Sequence, residues 1–309
     1  MTRPREEALV GAVEAGGTKV VCAVGTGPGE RMLARTSFPT GDDPARLLAA
    51  AFGWLKEQEE RFGSLQALGI ASFGPVDLDP GSPSYGSITS TPKPGWRDVD
   101  IVGAARKVFA AIPIGFETDV GGAALGESSW GEASGLSDFV YITIGTGIGA
   151  GAMAGGRLVH GLVHPEMGHM LLPRSPGDSF PGVCPFHGAC WEGLCSGPAL
   201  QARTGMRAED IAADHPAWEL ETQYIGSAIA NIVCVLSPQR VILGGGVRRG
   251  GRFGEERFFR GIRDNVRAVL NRYIVSPALN EGLDDYIVPP ALGDDAGICG
   301  ALALGQIHV

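Results

Sequence analysis

Glycine-rich turns that follow apolar strands constrain the fold of this chain more than any other feature. The 309 residues include 48 glycines, and these glycines show no fixed period, which excludes a fibrous repeat. Three bunches each come directly after an apolar, β-branched run: Gly16-Gly17, Gly145–Gly151 and Gly244–Gly246. Because glycine lets the backbone approach a ligand closely, such turns at strand ends predict contacts with phosphate or a nucleotide.

The same succession of elements occurs in both halves of the chain. EAGGTKVVCAV near the start and TIGTGIGAGAM near the middle each predict a strand hairpin, which alternating strands and helices then follow. We therefore expect a duplicated α/β unit with a cleft between the copies. The expected domains are a small N-terminal α/β domain at 1–117 and a large α/β domain at 118–295. The last helix, about 296–309, is expected to pack on the first domain.

Local patterns predict the main helices. Asp43 before Pro44 is typical of a helix start, and apolar residues at helical spacing follow it. Further helices are predicted at Val99–Ala110, Asp119–Trp130, Trp218–Leu236, Glu256–Arg272 and Ala296–Gln306. Residues 73–98 are rich in Pro, Gly and Ser, and they predict a long loop of the kind that often carries function.

Charge and hydropathy exclude several classes of protein. The net charge is -9 and the chain has no long basic run, so broad binding to nucleic acid or to an anionic membrane is not expected. The longest apolar runs are too short to span a bilayer, and the first residues lack the apolar region of a signal peptide. We expect a cytoplasmic protein without nucleic-acid or membrane partners.

A cluster of histidines and cysteines lies within residues 164–192. HPEMGH precedes CPFHGACWE, in which Cys184, His187 and Cys190 have the spacing C-x2-H-x2-C. Tetrahedral Zn²⁺ takes four nitrogen or sulphur ligands, and His169 completes that number. A structural zinc that shapes a pocket is the favoured interpretation. A disulfide between the two cysteines, or chance spacing, is the alternative.

The three glycine turns form a candidate nucleotide site. The first combines a carboxylate that can hold Mg²⁺ directly or through water, two glycines, a hydroxyl and a lysine. Ordinary hairpin turns are the alternative for each motif alone. The candidate residues are Glu14, Gly16, Gly17, Thr18 and Lys19 in the first turn, Gly145, Thr146 and Gly147 in the second, and Gly244, Gly245 and Gly246 in the third.

Other polar residues suggest phosphoryl transfer to a polyol. Asp119 follows a predicted strand at a helix start, so it is either an N-cap or a base that accepts a hydroxyl proton. Glu166, His169 and Glu192 flank the metal cluster and can accept hydrogen bonds from sugar hydroxyls. Plain solvation is the alternative for the two glutamates. His160, His215 and His308 lack such a context and are assigned no role.

Eight segments resemble the ROK sugar kinases, and most closely the bacterial ROK fructokinases. They are VEAGGTK (13–19), SFGPVD (72–77), TPKPGW (91–96), ETDVGGAALGE (117–127), YITIGTGIGAGA (141–152), HPEMGH (164–169), CPFHGACWEGLCSGPA (184–199) and ILGGGV (242–247). These segments follow one another in order over nearly the whole chain. The set is therefore far more specific than any single motif.

The resemblance implies an actin-like ATPase fold, with two ribonuclease-H-like α/β domains and ATP·Mg²⁺ in the cleft. It places Asp119 at the position of the general base, the first two glycine turns on the phosphate loops and Gly244–Gly246 on the adenosine motif. It also implies a structural Zn²⁺ and a homodimer. The implied sugar-contacting residues are Gly74, Pro75, Thr118, Glu166, His169 and Glu192. The implied zinc ligands are His169, Cys184, His187 and Cys190.

Two positions depart from the common family pattern, and a third bears on the choice of sugar. Glu14 stands where many relatives have Asp, which lengthens the side chain proposed to hold Mg²⁺ by one methylene. Gly121 stands where relatives usually have Asn, so a polar side chain two residues after the base is missing. Thr118 stands where glucokinase-like relatives often have Asn, and it favours fructose.

The resulting hypothesis is ATP-dependent phosphorylation of a hexose at its 6-hydroxyl, with D-fructose as the preferred sugar. A ROK glucokinase, mannokinase or N-acetylmannosamine kinase is the alternative within the same class. A non-catalytic sugar-binding regulator is the alternative from another class. We do not expect a DNA-binding helix-turn-helix, because the stretch before the first predicted strand is too short for one.

Overall fold

A computed structural model describes residues 8–309 of the chain. The strands of this part are β1 (Val10–Ala15), β2 (Lys19–Gly25), β3 (Met32–Pro39), β4 (Ala67–Ser72), β5 (Ile114–Thr118), β6 (Phe139–Ile144), β7 (Ile148–Ala154), β8 (Arg157–Leu158), β9 (Arg240–Gly244) and β10 (Ile287–Val288). The α-helices are α1 (Pro44–Phe62), α2 (Ile101–Val108), α3 (Asp119–Trp130), α4 (Trp191–Cys195), α5 (Gly197–Thr204), α6 (Ala217–Leu236), α7 (Glu255–Leu270), α8 (Pro277–Asn280), α9 (Leu283–Tyr286) and α10 (Ala296–Ile307).

The chain forms two compact units. Unit 1 comprises the residues up to Ser134 together with His160–His164 and Asp295–Val309, and unit 2 comprises Gly135–Val159 and Pro165–Asp294. This division follows Ser134, whereas the domain boundary expected from the sequence lies at residues 117–118. The difference arises because α3 packs closely on α10 and so stays with unit 1.

The sheet of unit 1 has the strand order β3-β2-β1-β4-β5. The first three strands run antiparallel, whereas β1, β4 and β5 run parallel to one another. In the parallel part Ala15 pairs with Ser72, and Ser72 pairs with Thr118. Three strands therefore end in register at one edge of the sheet.

Both faces of this sheet are covered. On one face the strands pack against α1 and α2, around large side chains such as Phe52 and Leu55. On the other face small residues allow α10 to lie directly on the sheet, and its Ala301 and Leu302 are buried there. A side chain at Gly69 of β4 would overlap the carbonyl oxygen of Ala301, so this close approach requires glycine.

The sheet of unit 2 has the order β10-β9-β6-β7-β8. Its strands β6, β7 and β8 form an antiparallel meander, and β9 and β10 extend the sheet in parallel from β6. This is the connection pattern of unit 1, so the duplicated α/β unit predicted from the two glycine hairpins is present. Helices α6 and α7 supply much of the buried core of unit 2.

Most predicted elements are present with small shifts at their ends. Asp43 caps α1 by accepting a hydrogen bond from the backbone N–H of Arg46, as its place before Pro44 predicts. The short elements α4, α5, α8 and α9 were not predicted, since so few residues carry no clear hydrophobic period. Across residues 8–309, every helix is too short or too polar to cross a lipid bilayer.

Candidate active site

Three predicted site segments leave the sheet of unit 1 at the same edge. The turn with Gly16 and Gly17 follows β1, the segment with Gly74 and Pro75 follows β4, and Asp119 follows β5. Because these strands end in register and neighbouring strands lie about 4.8 Å apart, the ends of β1 and β5 are about 10 Å from each other. Carboxyl ends of parallel strands are where open α/β sheets bind ligands.

Hydrogen bonds from two other segments of unit 1 fix the backbone of the first glycine turn, and the turn is otherwise exposed. The hydroxyl of Thr40 donates to the carbonyl oxygen of Gly16 at 2.7 Å, and the backbone N–H of Thr40 donates to the Thr18 carbonyl at 3.0 Å. Lys93 donates from its ammonium group to the Gly17 carbonyl at 2.7 Å. A side chain added at Gly17 would meet nothing within 4 Å, so the exposed side of the turn has room for a ligand.

Glu14 is a poorly solvated carboxyl group beside this turn. Burial raises its pKa to about 7, and the nearby negative charge of Asp119 contributes to the same shift. Its carboxylate lies against the start of α10, where any side chain at Gly297 would overlap it. A divalent cation would favour the ionised form, so the chemistry of Glu14 fits a residue that holds Mg²⁺ directly or through water.

Asp119 is the first residue of α3, and it is not the helix cap. Thr118 is the N-cap, and its Oγ1 accepts the backbone N–H of Gly121 at 2.9 Å. The alternative interpretation of Asp119 as a capping residue is therefore wrong. Burial raises the pKa of Asp119 to about 6, although the N–H of Val120 donates to its Oδ1 at 2.9 Å and opposes the shift. Such a carboxylate is ionised at neutral pH and is still basic enough to accept a proton.

A second carboxylate, Glu117, lies two residues before Asp119. Its side chain is 5% exposed, and its Oε2 lies 2.7 Å from Nε2 of His160. Its Oε1 accepts hydrogen bonds from the backbone N–H and the hydroxyl of Thr118, at 2.8 and 3.1 Å. Sequence reasoning assigned His160 no role, because the ion pair joins residues 43 positions apart.

The segment His160–His164 belongs to unit 1 although unit 2 flanks it in the sequence. Besides the contact of His160 with Glu117, Nε2 of His164 accepts the backbone N–H of Val76 at 3.2 Å. A side chain at Gly74 would lie 3.6 Å from the imidazole of His164. Two histidines thus hold this segment beside the predicted substrate-binding residues Gly74 and Pro75.

In unit 2 the second and third glycine turns follow the adjacent parallel strands β6 and β9. They share a cavity of about 690 Å³ that Gly145, Thr146 and Gly246 help to line. Gly245 has φ +83, and a side chain there would overlap the carbonyl oxygen of Ile144, so only glycine fits this turn. The volume is within the range of small-molecule and cofactor sites.

The predicted sugar-contacting residues of unit 2 adjoin the second glycine turn. Glu192 on α4 accepts the backbone N–H of Ile148 through its Oε2 at 2.9 Å. The short turn Met167–His169 also lies against β7, since a side chain at Gly168 would overlap the Ile148 carbonyl. Glu166, just before that turn, is exposed. The carboxylate of Glu192 is therefore hydrogen-bonded to the first residue of β7, directly after the predicted phosphate turn.

The four predicted metal ligands come together in unit 2. One candidate ligand atom from each of His169, Cys184, His187 and Cys190 lies within 4.8 Å of the others. Nδ1 of His169 is 3.8 Å from Sγ of Cys184 and 3.6 Å from Sγ of Cys190, and Nδ1 of His187 is 3.6 Å from Sγ of Cys184. Both thiols are free, so the disulfide alternative is wrong.

These distances fit a tetrahedral metal site. With Zn–S near 2.3 Å and Zn–N near 2.0–2.1 Å, tetrahedral geometry puts a sulphur and a nitrogen about 3.6 Å apart. Two sulphurs and two imidazole nitrogens are also a donor set that Zn²⁺ prefers. Nδ1 of His169 faces the sulphurs, which leaves its Nε2 for another partner.

The predicted site residues divide between the units. Unit 1 holds Glu14, Gly16, Gly17, Thr18, Lys19, Gly74, Pro75, Thr118 and Asp119, and unit 2 holds the remainder. The hydroxyl of Thr118 is committed to Gly121 and Glu117. Lys93 and His160 were not predicted as site residues. Lys93 lies within the segment TPKPGW, and His160 lies shortly before the segment HPEMGH. The resemblance of these segments to the ROK kinases is the sequence signal that could have identified both residues.

Comparisons with known proteins agree with this architecture. A Bacillus subtilis (strain 168) protein is 47% identical over 96% of this chain and 95% of its own length. The protein named fructokinase from Pediococcus pentosaceus is 43% identical over 96% of this chain and 98% of its own. The ROK hexokinase structure from Thermus thermophilus superposes with a TM-score of 0.78 at 26% identity, and the match covers 97% and 98% of the two chains.

The fold predicted from the sequence is confirmed. Structural neighbours of this kind have the actin-like ATPase fold, and the two five-stranded sheets of this chain belong to it. The model of the ROK family matches residues 10–307, which is nearly the whole chain. The chain belongs to the ROK family.

Proposed function

We propose that this protein is an ATP-dependent fructokinase, which transfers the γ-phosphoryl group of ATP to the 6-hydroxyl of D-fructose. The observation that carries the proposal is the set of fructokinase-named relatives that are 38–43% identical over nearly the full chain. The geometry supports the same chemistry. It offers an ionised but basic carboxylate, open glycine turns and a nucleotide-sized cavity.

Asp119 is the proposed catalytic base. Its carboxylate accepts the proton of the 6-hydroxyl as the sugar oxygen attacks the γ-phosphorus in line with the leaving group. The base is fixed at the first turn of α3, which starts directly from β5. Placement on a helix that begins at a strand end restricts the motion of the carboxylate, and this favours a productive geometry.

The glycine turns are the proposed phosphate-binding elements. In unit 1 they are Gly16, Gly17 and Thr18 with Lys19, and in unit 2 Gly145, Thr146 and Gly147. Gly244–Gly246 and the cavity beside them take the adenosine. Glu14 would hold Mg²⁺, which neutralises charge on the phosphoryl oxygens when bound.

The sugar site is proposed to be shaped by bound Zn²⁺. His169, Cys184, His187 and Cys190 would hold the ion, whose role is to fix the loop that carries Glu166 and Glu192. Glu166, His169 and Glu192 are proposed to accept hydrogen bonds from sugar hydroxyls, and Gly74, Pro75 and Thr118 are also proposed as sugar-contacting residues. The protein is also proposed to form a homodimer, which light scattering would test against the chain mass of 32.1 kDa.

An ADP-release assay with Mg·ATP across sugars tests the proposal. D-fructose should give the highest kcat/KM among fructose, glucose, mannose and N-acetylmannosamine. 6-Deoxyfructose is the matched control, because it lacks only the accepting hydroxyl and should give no phosphorylated product. A higher kcat/KM with an aldohexose or N-acetylmannosamine would identify one of the alternative kinases. Sugar binding without any turnover would favour a non-catalytic regulator.

A further inference from the structure

Glu117 and His160 form a contact pair beside the proposed base, and the carboxylate of this pair is buried. The Glu117 side chain is almost fully buried, whereas that of His160 is 43% exposed. A buried carboxylate is costly unless each oxygen has a partner. Here Oε1 has two donors from Thr118, and Oε2 has the imidazole of His160 at 2.7 Å.

A short chain of contacts connects His160 with the backbone of Asp119. His160 fixes Glu117, and Glu117 accepts both the N–H and the hydroxyl of Thr118. The same hydroxyl accepts the N–H of Gly121 at 2.9 Å, which caps α3. Asp119 lies between Thr118 and Gly121, so the hydrogen bonds on both sides of it depend on where the Glu117 carboxylate lies.

Gly121 provides the space that this arrangement needs. An added Cβ at Gly121 would lie 2.6 Å from Oε1 of Glu117 and 2.8 Å from its Cδ. The three nearest atoms all belong to the Glu117 side chain, so a larger residue would displace that carboxylate. The departure from the usual Asn at this position is therefore coupled to the position of Glu117.

The negative charge of Glu117 raises the pKa of the titratable groups beside it. Glu117 raises the pKa of His160, mainly through their hydrogen bond, and it also raises the pKa of Asp119. Burial raises the pKa of Tyr85, Glu117 contributes to the same shift, and Arg106 opposes it. His160 is in direct contact with Glu117 and can offset its charge when protonated, whereas Asp119 and Tyr85 cannot supply a positive charge.

We propose that His160 is a positioning residue for Asp119, acting through Glu117 and Thr118, and that Gly121 is the residue that makes room for Glu117. The inference rests on the proposed function, because it assigns a role to the surroundings of the proposed base. It adds two residues, His160 and Gly121, whose effect on catalysis is transmitted through another side chain.

Steady-state kinetics of His160→Ala provide the first test. The kcat for fructose should fall on the order of 10-fold because the base loses its orientation, while the KM for ATP should change less than about 2-fold. Imidazole added to the buffer should restore part of the lost kcat, since the site of His160 is open to solvent. His308→Ala is the matched control in the same unit, and it should leave kcat unchanged.

The pH profile separates positioning from a general loss of structure. His160→Ala leaves the charge of Glu117 without its partner, so the acidic limb of kcat/KM should move to higher pH. Glu117→Gln removes that charge and keeps an acceptor for Thr118, so the same limb should move to lower pH. Shifts of opposite sign would not follow from partial unfolding of either variant.

Gly121→Ala provides an independent test that leaves both partners of the ion pair in place. The added methyl group should displace the Glu117 carboxylate from its hydrogen bonds with Thr118, so kcat should fall as in His160→Ala. Normal kcat and an unshifted pH profile in His160→Ala would overturn the inference, and so would normal kcat in Gly121→Ala. Wild-type protein without kinase activity, or active Asp119→Asn, would instead overturn the proposed function.

Discussion

At the scale of single residues, Asp119 carries the largest prediction. In Asp119→Asn the amide cannot accept the hydroxyl proton, so kcat should fall on the order of 10²-fold or more while KM changes little. Calorimetry is the control. Burial penalises the charged carboxylate, so the neutral amide should not lower the melting temperature at pH 8. A variant with near-normal kcat would refute the assignment of the base.

The raised pKa of Asp119 predicts a specific pH dependence. The base must be ionised, and its folded pKa of about 6 lies above the ordinary value of 3.8. Activity should therefore be lost as pH falls through about 6. The kcat/KM for fructose at saturating Mg·ATP should decrease about 10-fold between pH 7 and pH 5. A profile that stays flat down to pH 5 would mean that the carboxylate titrates near its ordinary pKa.

The sequence identified candidate site residues where they lie inside recognisable motifs. Asp119 and the glycine turns were found because strand, turn and helix start are encoded by neighbouring residues. The pairing of His160 with Glu117 was not found, because it depends on a contact between distant parts of the chain. Whether Asp119 caps α3 could not be decided from the sequence either, because the Thr118 hydroxyl that caps the helix is an equally ordinary capping group. The role of Asp119 as the base stays a proposal.

At the scale of elements, the metal loop of residues 164–192 supports a prediction about stability and sugar binding. The purified protein should contain close to one zinc per chain. Cys190→Ser should lose the metal, lower the melting temperature and raise the KM for fructose at least about 10-fold. The matched control is Cys234→Ser, which changes an exposed cysteine outside the cluster. Fully active and folded protein without bound metal would contradict the role of the ion.

Two short helices in and after this loop could not be predicted from hydrophobic patterns in the sequence. Helix α4 spans the five residues Trp191–Cys195, and Cys190 is its N-cap, whose sulphur accepts the N–H of Gly193 at 3.4 Å. Helix α5 follows at once, with Ser196 as its cap. Neither helix is long enough to show a hydrophobic period, so tertiary contacts and the cluster decide their conformation. Long helices such as α6 were predicted because they repeat an apolar face over several turns.

At the scale of the whole molecule, the duplicated α/β unit accounts for the occurrence of glycine turns at equivalent strand ends in both halves of the chain. The hairpin turn after β1 in unit 1 corresponds to the hairpin turn after β6 in unit 2. The segment after β4, with Gly74 and Pro75, corresponds to Gly244–Gly246 after β9. We infer that the equivalent hairpin turns kept phosphate binding in both copies. The segments after the parallel strands have different proposed ligands, which are the sugar for Gly74 and Pro75 and adenosine for Gly244–Gly246.

This inference predicts that substitutions at open glycines in different units have the same kinetic effect. A side chain at Gly17 or at Gly246 would meet nothing within 4 Å, and neither residue has positive φ, so the fold should tolerate alanine at both. Each added methyl group would nevertheless occupy space that is proposed to hold the nucleotide. Gly17→Ala and Gly246→Ala should therefore each raise the KM for ATP about 10-fold, with little change in the KM for fructose.

The control for these variants is a glycine with equal freedom but no predicted ligand. Gly53 is exposed on α1, and a side chain there would also meet nothing within 4 Å. Gly53→Ala should stabilise the helix by about 1 kcal/mol and leave both KM values unchanged. If Gly17→Ala raised the KM for ATP and Gly246→Ala did not, the adenosine assignment in unit 2 would be wrong. If both variants matched Gly53→Ala, nucleotide binding would have to depend on other parts of the chain.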